Sequence, residues 1–155
     1  MPMDQFQDLD LIELSYVSLA TQDMGMLALM RILNESWSWN VRHQITGILF
    51  YENQHFGQIL EGRKVDVLKI WEKIKTDSRH QVLRQIAVKP IKKRHFPNWV
   101  LRFCGGDEIL KRAPRLIEIL DGMPENDVEI LELMRSLSDS SLVWEDRSSF
   151  KKFEL

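Results

Sequence analysis

A single cysteine stands among the 155 residues, and this scarcity excludes two classes of protein. One cysteine cannot form an internal disulfide, and it cannot supply the several thiolates of a cysteine-based zinc site. Cys104 lies between Phe103 and Gly105, so no base stands beside it in the sequence to activate a thiolate. We therefore interpret Cys104 as a small buried apolar residue near the end of a strand.

Long apolar runs and an excess of one charge are also missing. No segment approaches the ~20 apolar residues of a membrane helix, and the N-terminus lacks the basic region of a secretory signal. The 21 lysines and arginines are balanced by 23 acidic residues, which gives a net charge of -2 and no global attraction to nucleic acid. We expect a cytoplasmic protein without a membrane partner.

Signatures of catalysis and metal binding are absent as well. No glycine-rich phosphate loop and no nucleophile elbow can be found. The four histidines are scattered along the chain rather than set at ligand spacing, so we expect no metal site and no catalytic residues. These histidines are His43, His55, His80 and His95.

The periodicity of the apolar residues predicts an α+β, ferredoxin-like sheet in the order βαββαββ, with two helices on one face. We expect the first helix to end near Trp37, the third strand to be broken at Glu61-Gly62, and residues 52–55 to form a hairpin. The predicted strands cover residues 11–18, 45–52, 55–60, 82–91 and 99–104, and the helices cover about residues 21–37 and 65–77.

Gly105-Gly106 marks a change in pattern. We predict a leader over residues 1–10, a folded domain over residues 11–104, and a helical extension with a tail over residues 105–155. The extension holds two apolar helical patterns, near residues 109–120 and 128–137. They can cover the open face of the sheet or pack against a second chain, and the first reading is favoured slightly because exposed apolar faces are rare.

Three polar residues stand at unusual places in this pattern. Gln58 lies within an apolar strand, Tyr16 lies in the first strand, and Asn40 lies just before the second. A buried amide without a partner costs about 1–3 kcal/mol. Each residue alone is explained by a local structural role, but together they indicate a site for a flat ligand that forms hydrogen bonds.

The order and spacing of these residues resemble one known family. Residues 11–104 are similar to the BLUF domain, a blue-light sensor that binds flavin on a ferredoxin-like sheet between its two core helices. The resemblance rests on Leu14-Ser15-Tyr16-Val17-Ser18, on Asn40 six residues before Thr46 in Ile45-Thr46-Gly47, on Phe56-x-Gln58-x-Leu60-Glu61-Gly62, on Asp77-x-Arg79-His80, and on Phe96-x-x-Trp99.

The resemblance implies a non-covalently bound flavin, FAD or FMN, and a photoactive pair. Tyr16 would donate an electron and then a proton, and Gln58 would bridge Tyr16 to the flavin and change its hydrogen bond after excitation. Asn40 would hold the pyrimidine edge of the flavin. The remaining implied contacts are Ile45 and Phe56 packed on the ring, Lys73 near the phosphate, and Asp77 and His80 near the entrance.

The resemblance also assigns signal transmission to the fifth strand, through Trp99 and position 101. The family commonly has methionine at this second position, and Leu101 lacks its sulfur and flexibility. Two further departures are Gly57, which we expect to loosen the third strand, and Gln44, which stands where glycine is frequent.

The segment after residue 105 resembles no output enzyme, so the resemblance is to short BLUF proteins. These act through self-association or a separate effector such as a cyclic-nucleotide phosphodiesterase or a transcription regulator. The alternative is a ferredoxin-like nucleic-acid-binding module, which the basic turn Lys92-Lys93-Arg94-His95 favours and the negative net charge opposes. An acylphosphatase-like hydrolase would need a phosphate loop that the sequence lacks.

Overall fold

The computed structural model describes residues 10–105, 109, 115–116 and 127–136. Most of the predicted leader, most of the first helical pattern of the extension, and the tail over residues 138–155 therefore lie outside the described residues. Within the described ranges, no helix is both long and apolar enough to cross a membrane.

The described residues form one five-stranded sheet with three helices. The strand order is β4-β1-β3-β2-β5, in which β5 runs parallel to β2 and the other neighbours are antiparallel. This order confirms the predicted α+β, ferredoxin-like sheet with one added strand. The elements are β1 (Leu11–Ala20), α1 (Met26–His43), β2 (Thr46–Glu52), β3 (His55–Arg63), α2 (Lys64–Thr76), β4 (His80–Pro90), β5 (Arg102–Cys104) and α3 (Asp127–Ser136).

Helix α1 is displaced along the chain from its predicted position. It begins after Gly25, without a side-chain cap, and continues to His43, so the predicted end near Trp37 was wrong. Serine and asparagine in this stretch have low helix propensity and indicated a turn. Leu33 packs on the sheet, Asn40 is buried with its amide bonded to Val100 O, and these contacts override that propensity. The helix ends at Gln44, whose φ of 54° is left-handed, which explains why glycine suits this position.

Strand β3 is longer than predicted. It continues through Glu61 and Gly62, which pair with Glu13 and Ile12 of β1. The glycine marks a close approach rather than a strand end, because a Cβ at Gly62 would lie 3.1 Å from a side-chain atom of Ile45.

Strand β5 is shorter than predicted and begins at Arg102 rather than at Trp99. The carbonyl oxygens just before it bind elsewhere. Trp99 O accepts the N–H of Gly47 at 2.9 Å, and Val100 O accepts the side-chain amide of Asn40 at 2.8 Å. The chain therefore crosses the end of α1 before it joins the sheet.

The predicted hairpin joins β2 to β3 through Asn53 and Gln54. Both residues have positive φ, 51° and 64°, as a type I′ turn requires. The tight turn sets the register of the two strands.

The sheet buries apolar side chains on both faces. On one face, Ile12, Leu14 and Leu60 pack with residues of α2 such as Val67 and Trp71. On the reverse face, described residues of the extension complete a second core, which confirms the prediction that the extension covers the sheet. The members of this core include Val17, Ile48, Phe50, Ile59, Phe96, Cys104, Ile109, Leu116, Ile130, Leu131 and Met134.

Gly57 does not loosen β3, contrary to expectation. Its cross-strand partner is Phe50, and a Cβ on Gly57 would lie 1.8 Å from the Phe50 ring. The ring is 1% exposed and fills the space that a larger side chain at position 57 would need. The Phe50 ring therefore compensates for the missing side chain at Gly57.

We predict that Gly57→Ala lowers the free energy of unfolding by about 1–3 kcal/mol, because the buried Phe50 ring must move. Urea denaturation measures the change. Gly105→Ala is the matched control, since the added Cβ would make only an ordinary contact, 3.6 Å from the Phe103 ring, and it should change the free energy by less than about 0.5 kcal/mol. Equal losses in the two variants would contradict the packing explanation.

Candidate cofactor-binding site

Tyr16 and Gln58 form a direct hydrogen bond in the middle of the sheet. They are register partners on β1 and β3, so their side chains leave the same face. The Tyr16 hydroxyl donates to Gln58 Oε1 at 2.6 Å, and each residue is 4% exposed. The costly buried amide inferred from the sequence thus has a phenol as its partner.

The surroundings of Tyr16 keep its phenol neutral. Its ring lies 5.1 Å from the Trp71 ring, centre to centre, in a tilted contact. Burial raises the pKa of the Tyr16 phenol, and the negative charge of Asp77 raises it further. Tyr16 therefore keeps its proton, which points at the amide of Gln58.

A cavity of about 520 Å³ opens beside this pair, within the size range of small-molecule sites. Both α1 and α2 contribute walls, and the sheet contributes the base. The lining residues are Tyr16, Ile32, Asn34, Glu35, Ser36, Ser38, Trp39, Arg42, Leu49, Phe56, Gln58, Ile70, Lys73, Ile74, Asp77, Arg79 and His80.

Six of the candidate site residues from the sequence line this cavity, and four do not. Those that line it are Tyr16, Phe56, Gln58, Lys73, Asp77 and His80. The other four are Asn40, Ile45, Trp99 and Leu101.

Asn40 and Ile45 lie in the protein interior beside the cavity. Asn40 is 1% exposed, its amide donates to Val100 O at 2.8 Å, and its backbone carbonyl accepts the N–H of Ile45. Ile45 packs in the core with Tyr16 and Trp71. Asn40 therefore ties the end of α1 to the chain that enters β5.

Trp99 and Leu101 contact the site through the core. Leu101 is 3% exposed and belongs to the same apolar cluster as Leu49 and Phe56, both of which line the cavity. Trp99 stacks on Phe96 with a centroid distance of 5.9 Å and an interplanar angle of 12°. The chain before β5 thus packs behind the cavity wall.

His80 is held by both of its ring nitrogens. Nε2 lies 2.5 Å from the carbonyl of Ile74, and Nδ1 lies 2.7 Å from the Ser18 hydroxyl. A carbonyl only accepts, so Nε2 carries the proton and Nδ1 can accept from Ser18. His80 is therefore a fixed wall, edge-on to the rings of Tyr16 and Phe56.

Arg79 lines the cavity, although it was not among the candidate site residues from the sequence. Its guanidinium binds Asp77 Oδ2 at 2.5 Å and Glu35 Oε2 of α1 at 2.9 Å. The hydrogen bond from Arg79 lowers the pKa of Asp77, and Asp77 raises the pKa of Arg79. The motif Asp77-x-Arg79 was a local signal for the first pair, but no local pattern reveals a partner 44 residues away.

A second bridge between the helices involves Lys73 and Trp39. Lys73 Nζ lies 3.9 Å from the centre of the Trp39 ring, and the His43 ring stacks on the same indole at 3.9 Å. Such a cation–π contact stabilises by about 0.5–1 kcal/mol at an exposed site. Trp39 is not among the candidate site residues from the sequence, but it lies in the cavity wall.

Two of the four residues in the basic turn before β5, Arg94 and His95, form hydrogen bonds within the protein. Arg94 donates to Thr46 Oγ1 at 2.9 Å and to the carbonyl of Glu61 at 2.8 Å. Desolvation lowers the pKa of this guanidinium. Of the four residues of the turn, Arg94 and His95 face Glu61, and Lys92 and Lys93 are exposed.

The cavity residues fit the flat, amphipathic ring system of a flavin. Ile32, Leu49, Phe56, Ile70 and Ile74 supply apolar walls, and Arg42 and Lys73 supply positive charge for a phosphate. Gln58 uses its oxygen for Tyr16, which leaves its amino group available to a hydrogen-bond acceptor.

Comparison with known proteins agrees with this site. The model of the family described as BLUF, sensors of blue-light using FAD, matches residues 11–102. The photoactivated adenylate cyclase subunit beta of Euglena longa is 33% identical over 120 residues, which cover 77% of this chain and 14% of that protein. The chain thus spans about a seventh of the curated relative that it matches.

Two solved structures share the fold. The dark-state structure of the BLUF protein BlrB is 32% identical, covers 85% of this chain and 99% of its own, and has a TM-score of 0.74. A Klebsiella pneumoniae BlrP1 complex with manganese and cyclic diGMP is 26% identical, covers 84% of this chain and 33% of its own, and has a TM-score of 0.61. With the family match over residues 11–102, these similarities establish that the chain belongs to the BLUF family, whose members sense blue light with a bound flavin.

Proposed function

We propose that this chain is a blue-light receptor in which Tyr16 and Gln58 act as a hydrogen-bond switch beside a non-covalently bound flavin. The observation that carries the proposal is the 2.6 Å hydrogen bond from Tyr16 to Gln58 at the base of the cavity. A bound FAD or FMN supplies the absorption of blue light and one-electron chemistry.

Tyr16 is the electron and proton donor in this scheme. Its phenol is protonated because burial raises its pKa, and its hydroxyl hydrogen points at Gln58 Oε1. If Tyr16 passed an electron to the excited flavin, its phenol would become far more acidic, and its proton would move along the existing hydrogen bond towards the amide of Gln58.

Gln58 is the element that changes state. Its oxygen accepts from Tyr16, which leaves its amino group for the cofactor. Rotation or tautomerisation of the amide would exchange donor and acceptor, and it would therefore change the hydrogen bond that Gln58 offers to a bound flavin. Such a change would shift the absorption of the flavin to the red.

The other candidate residues hold and enclose the cofactor. We propose that Phe56 and Ile45 support the ring, that Asn40 binds its pyrimidine edge, and that Lys73 approaches a phosphate. Asp77 and His80 shape the entrance. The internal hydrogen bonds of His80 support packing rather than hydrogen bonding to the flavin.

We propose that the signal leaves through Trp99, Leu101 and β5. The bond between Asn40 and Val100 supports this route, because it joins the cavity side of α1 to that chain segment. The receiver would be a second copy of the chain or a separate effector, such as a cyclic-nucleotide phosphodiesterase or a transcription regulator. In this division of the chain, residues 11–104 sense light and residues 105–155 carry the response.

The proposed function predicts first that the purified protein is yellow, or becomes yellow on reconstitution with FAD or FMN, and that its absorption shifts to the red under blue light. Tyr16→Phe and Gln58→Leu should both abolish this shift, because each removes one end of the hydrogen bond. Flavin should remain bound, which fluorescence titration measures.

Tyr51→Phe is the matched control for the tyrosine variant. It replaces the other tyrosine of the chain, which accepts a hydrogen bond from the Met24 N–H and does not line the cavity. This variant should keep the shift. A colourless protein that gains no flavin would contradict the proposal, and a normal shift in Tyr16→Phe would exclude the switch.

A second prediction concerns alkaline pH. The phenol of Tyr16 keeps its proton in the folded protein but ionises near pH ~10 once the chain unfolds. The folded state then binds more protons, so its stability falls as pH rises above that value, by up to about 1.4 kcal/mol per pH unit. Below pH ~10 this effect is absent.

Denaturant unfolding at about pH 8 and about pH 11 tests this sign. The wild type should lose more free energy of unfolding between the two values than Tyr16→Phe does. Tyr51→Phe should behave as the wild type. If Tyr16→Phe lost as much free energy of unfolding at alkaline pH as the wild type, the buried neutral phenol would not be the cause of that loss.

A further inference from the structure

The reverse face of the sheet carries a second polar pair. Glu13 and Glu61 are register partners on β1 and β3, and both are 0% exposed. Two carboxylates directly opposite each other repel, and each needs partners to remain charged inside the protein. Neither belongs to the cavity on the other face.

Glu61 is satisfied by the connection between β4 and β5. Its Oε2 accepts the backbone N–H of His95 at 2.8 Å and lies 2.9 Å from His95 Nδ1, and its Oε1 accepts the N–H of Phe96 at 2.7 Å. These bonds anchor the segment that carries Trp99 and Leu101.

Glu13 is satisfied mainly by the extension. Arg135, in the last turn of α3, donates through Nη2 to both carboxylate oxygens, at 2.6 and 2.8 Å. Lys89 Nζ is 4.0 Å away, and His95 Nδ1 is 3.4 Å away. The hydrogen-bonded partner of this buried charge is therefore a residue of the covering helix.

We propose that the Glu13–Arg135 ion pair is a latch that holds α3 on the sheet and that switching at Tyr16 and Gln58 releases. This inference rests on the proposed function. In this scheme, light causes α3 to leave the reverse face of the sheet.

The β1/β3 ladder joins the latch to the switch. Tyr16–Gln58 and Glu13–Glu61 are two pairs of the same ladder, three residues apart and on opposite faces. On its other side, the pairing of β1 with β4 shifts register between Ser15 and Tyr16, and again between Val17 and Ser18. The extra residues, Leu83 and Ile86, lie on β4, so the ladder on that side of β1 is interrupted next to Tyr16.

Two arrangements satisfy the charge of Glu13. With α3 seated, Glu13 is buried and paired with Arg135. With α3 detached, Glu13 is hydrated and no longer needs a buried partner. Separating the two charges while Glu13 stays buried is strongly unfavourable, so a strand movement that pulls Glu13 away from Arg135 shifts the balance towards the detached arrangement.

Hydrogen exchange of the flavin-loaded full chain tests the latch. In the wild type, the backbone amides of α3 should exchange slowly in the dark and several-fold faster under blue light. In Glu13→Gln and Arg135→Met, dark exchange should already match the illuminated rate, while the red shift persists. Arg135→Lys keeps the charge and should restore slow exchange in the dark.

Glu72→Gln is the matched control, because Glu72 forms an exposed ion pair with Lys75 on α2. It should alter neither exchange nor the red shift. A wild-type red shift without faster exchange in α3 would overturn the latch, and so would slow dark exchange in Glu13→Gln. If no red shift occurred at all, the proposed function would fail, and the dark comparison would still decide whether Glu13 holds α3.

Discussion

The pairing of β1 with β3 is the constraint on which the rest of this structure depends. A slip of one residue would send every side chain of a strand to the opposite face. The observed register puts Tyr16 opposite Gln58 on the face of α1 and α2, and Glu13 opposite Glu61 on the face of α3. The type I′ turn after Glu52 sets the register of β3 against β2. Strand β3 therefore contributes side chains both to the base of the cavity and to the core on the reverse face.

The cavity depends on contacts between elements that are distant along the chain. Arg79 joins Glu35 of α1 to Asp77, and Lys73 of α2 lies over Trp39 of α1. These contacts link α1 to α2 and to the segment that follows α2. The Asn40 amide adds a third connection, from α1 to the segment before β5, so the site and the proposed output route share a hydrogen bond.

Element types were predictable because apolar periodicity is a local property, but several boundaries were not. Ser and Asn near the end of α1 indicated a turn, and burial of Asn40 keeps that stretch helical. Gly62 looked like a strand end and is instead a point of close packing beneath Ile45. Gly57 looked like a weakness until Phe50 was found to fill its space. In each case a neighbour from another element reverses the local preference.

Residue types at fixed spacing were enough to identify the family, the order of the elements and the chemical groups at the site. Which of these groups meet depends on the fold. It gave Gln58 a phenol as partner, engaged both nitrogens of His80, and placed Arg79 between two carboxylates. It also brought Arg135 to the buried Glu13 across 122 positions. Long-range pairing leaves no periodic trace in a single sequence, so only the fold can establish it.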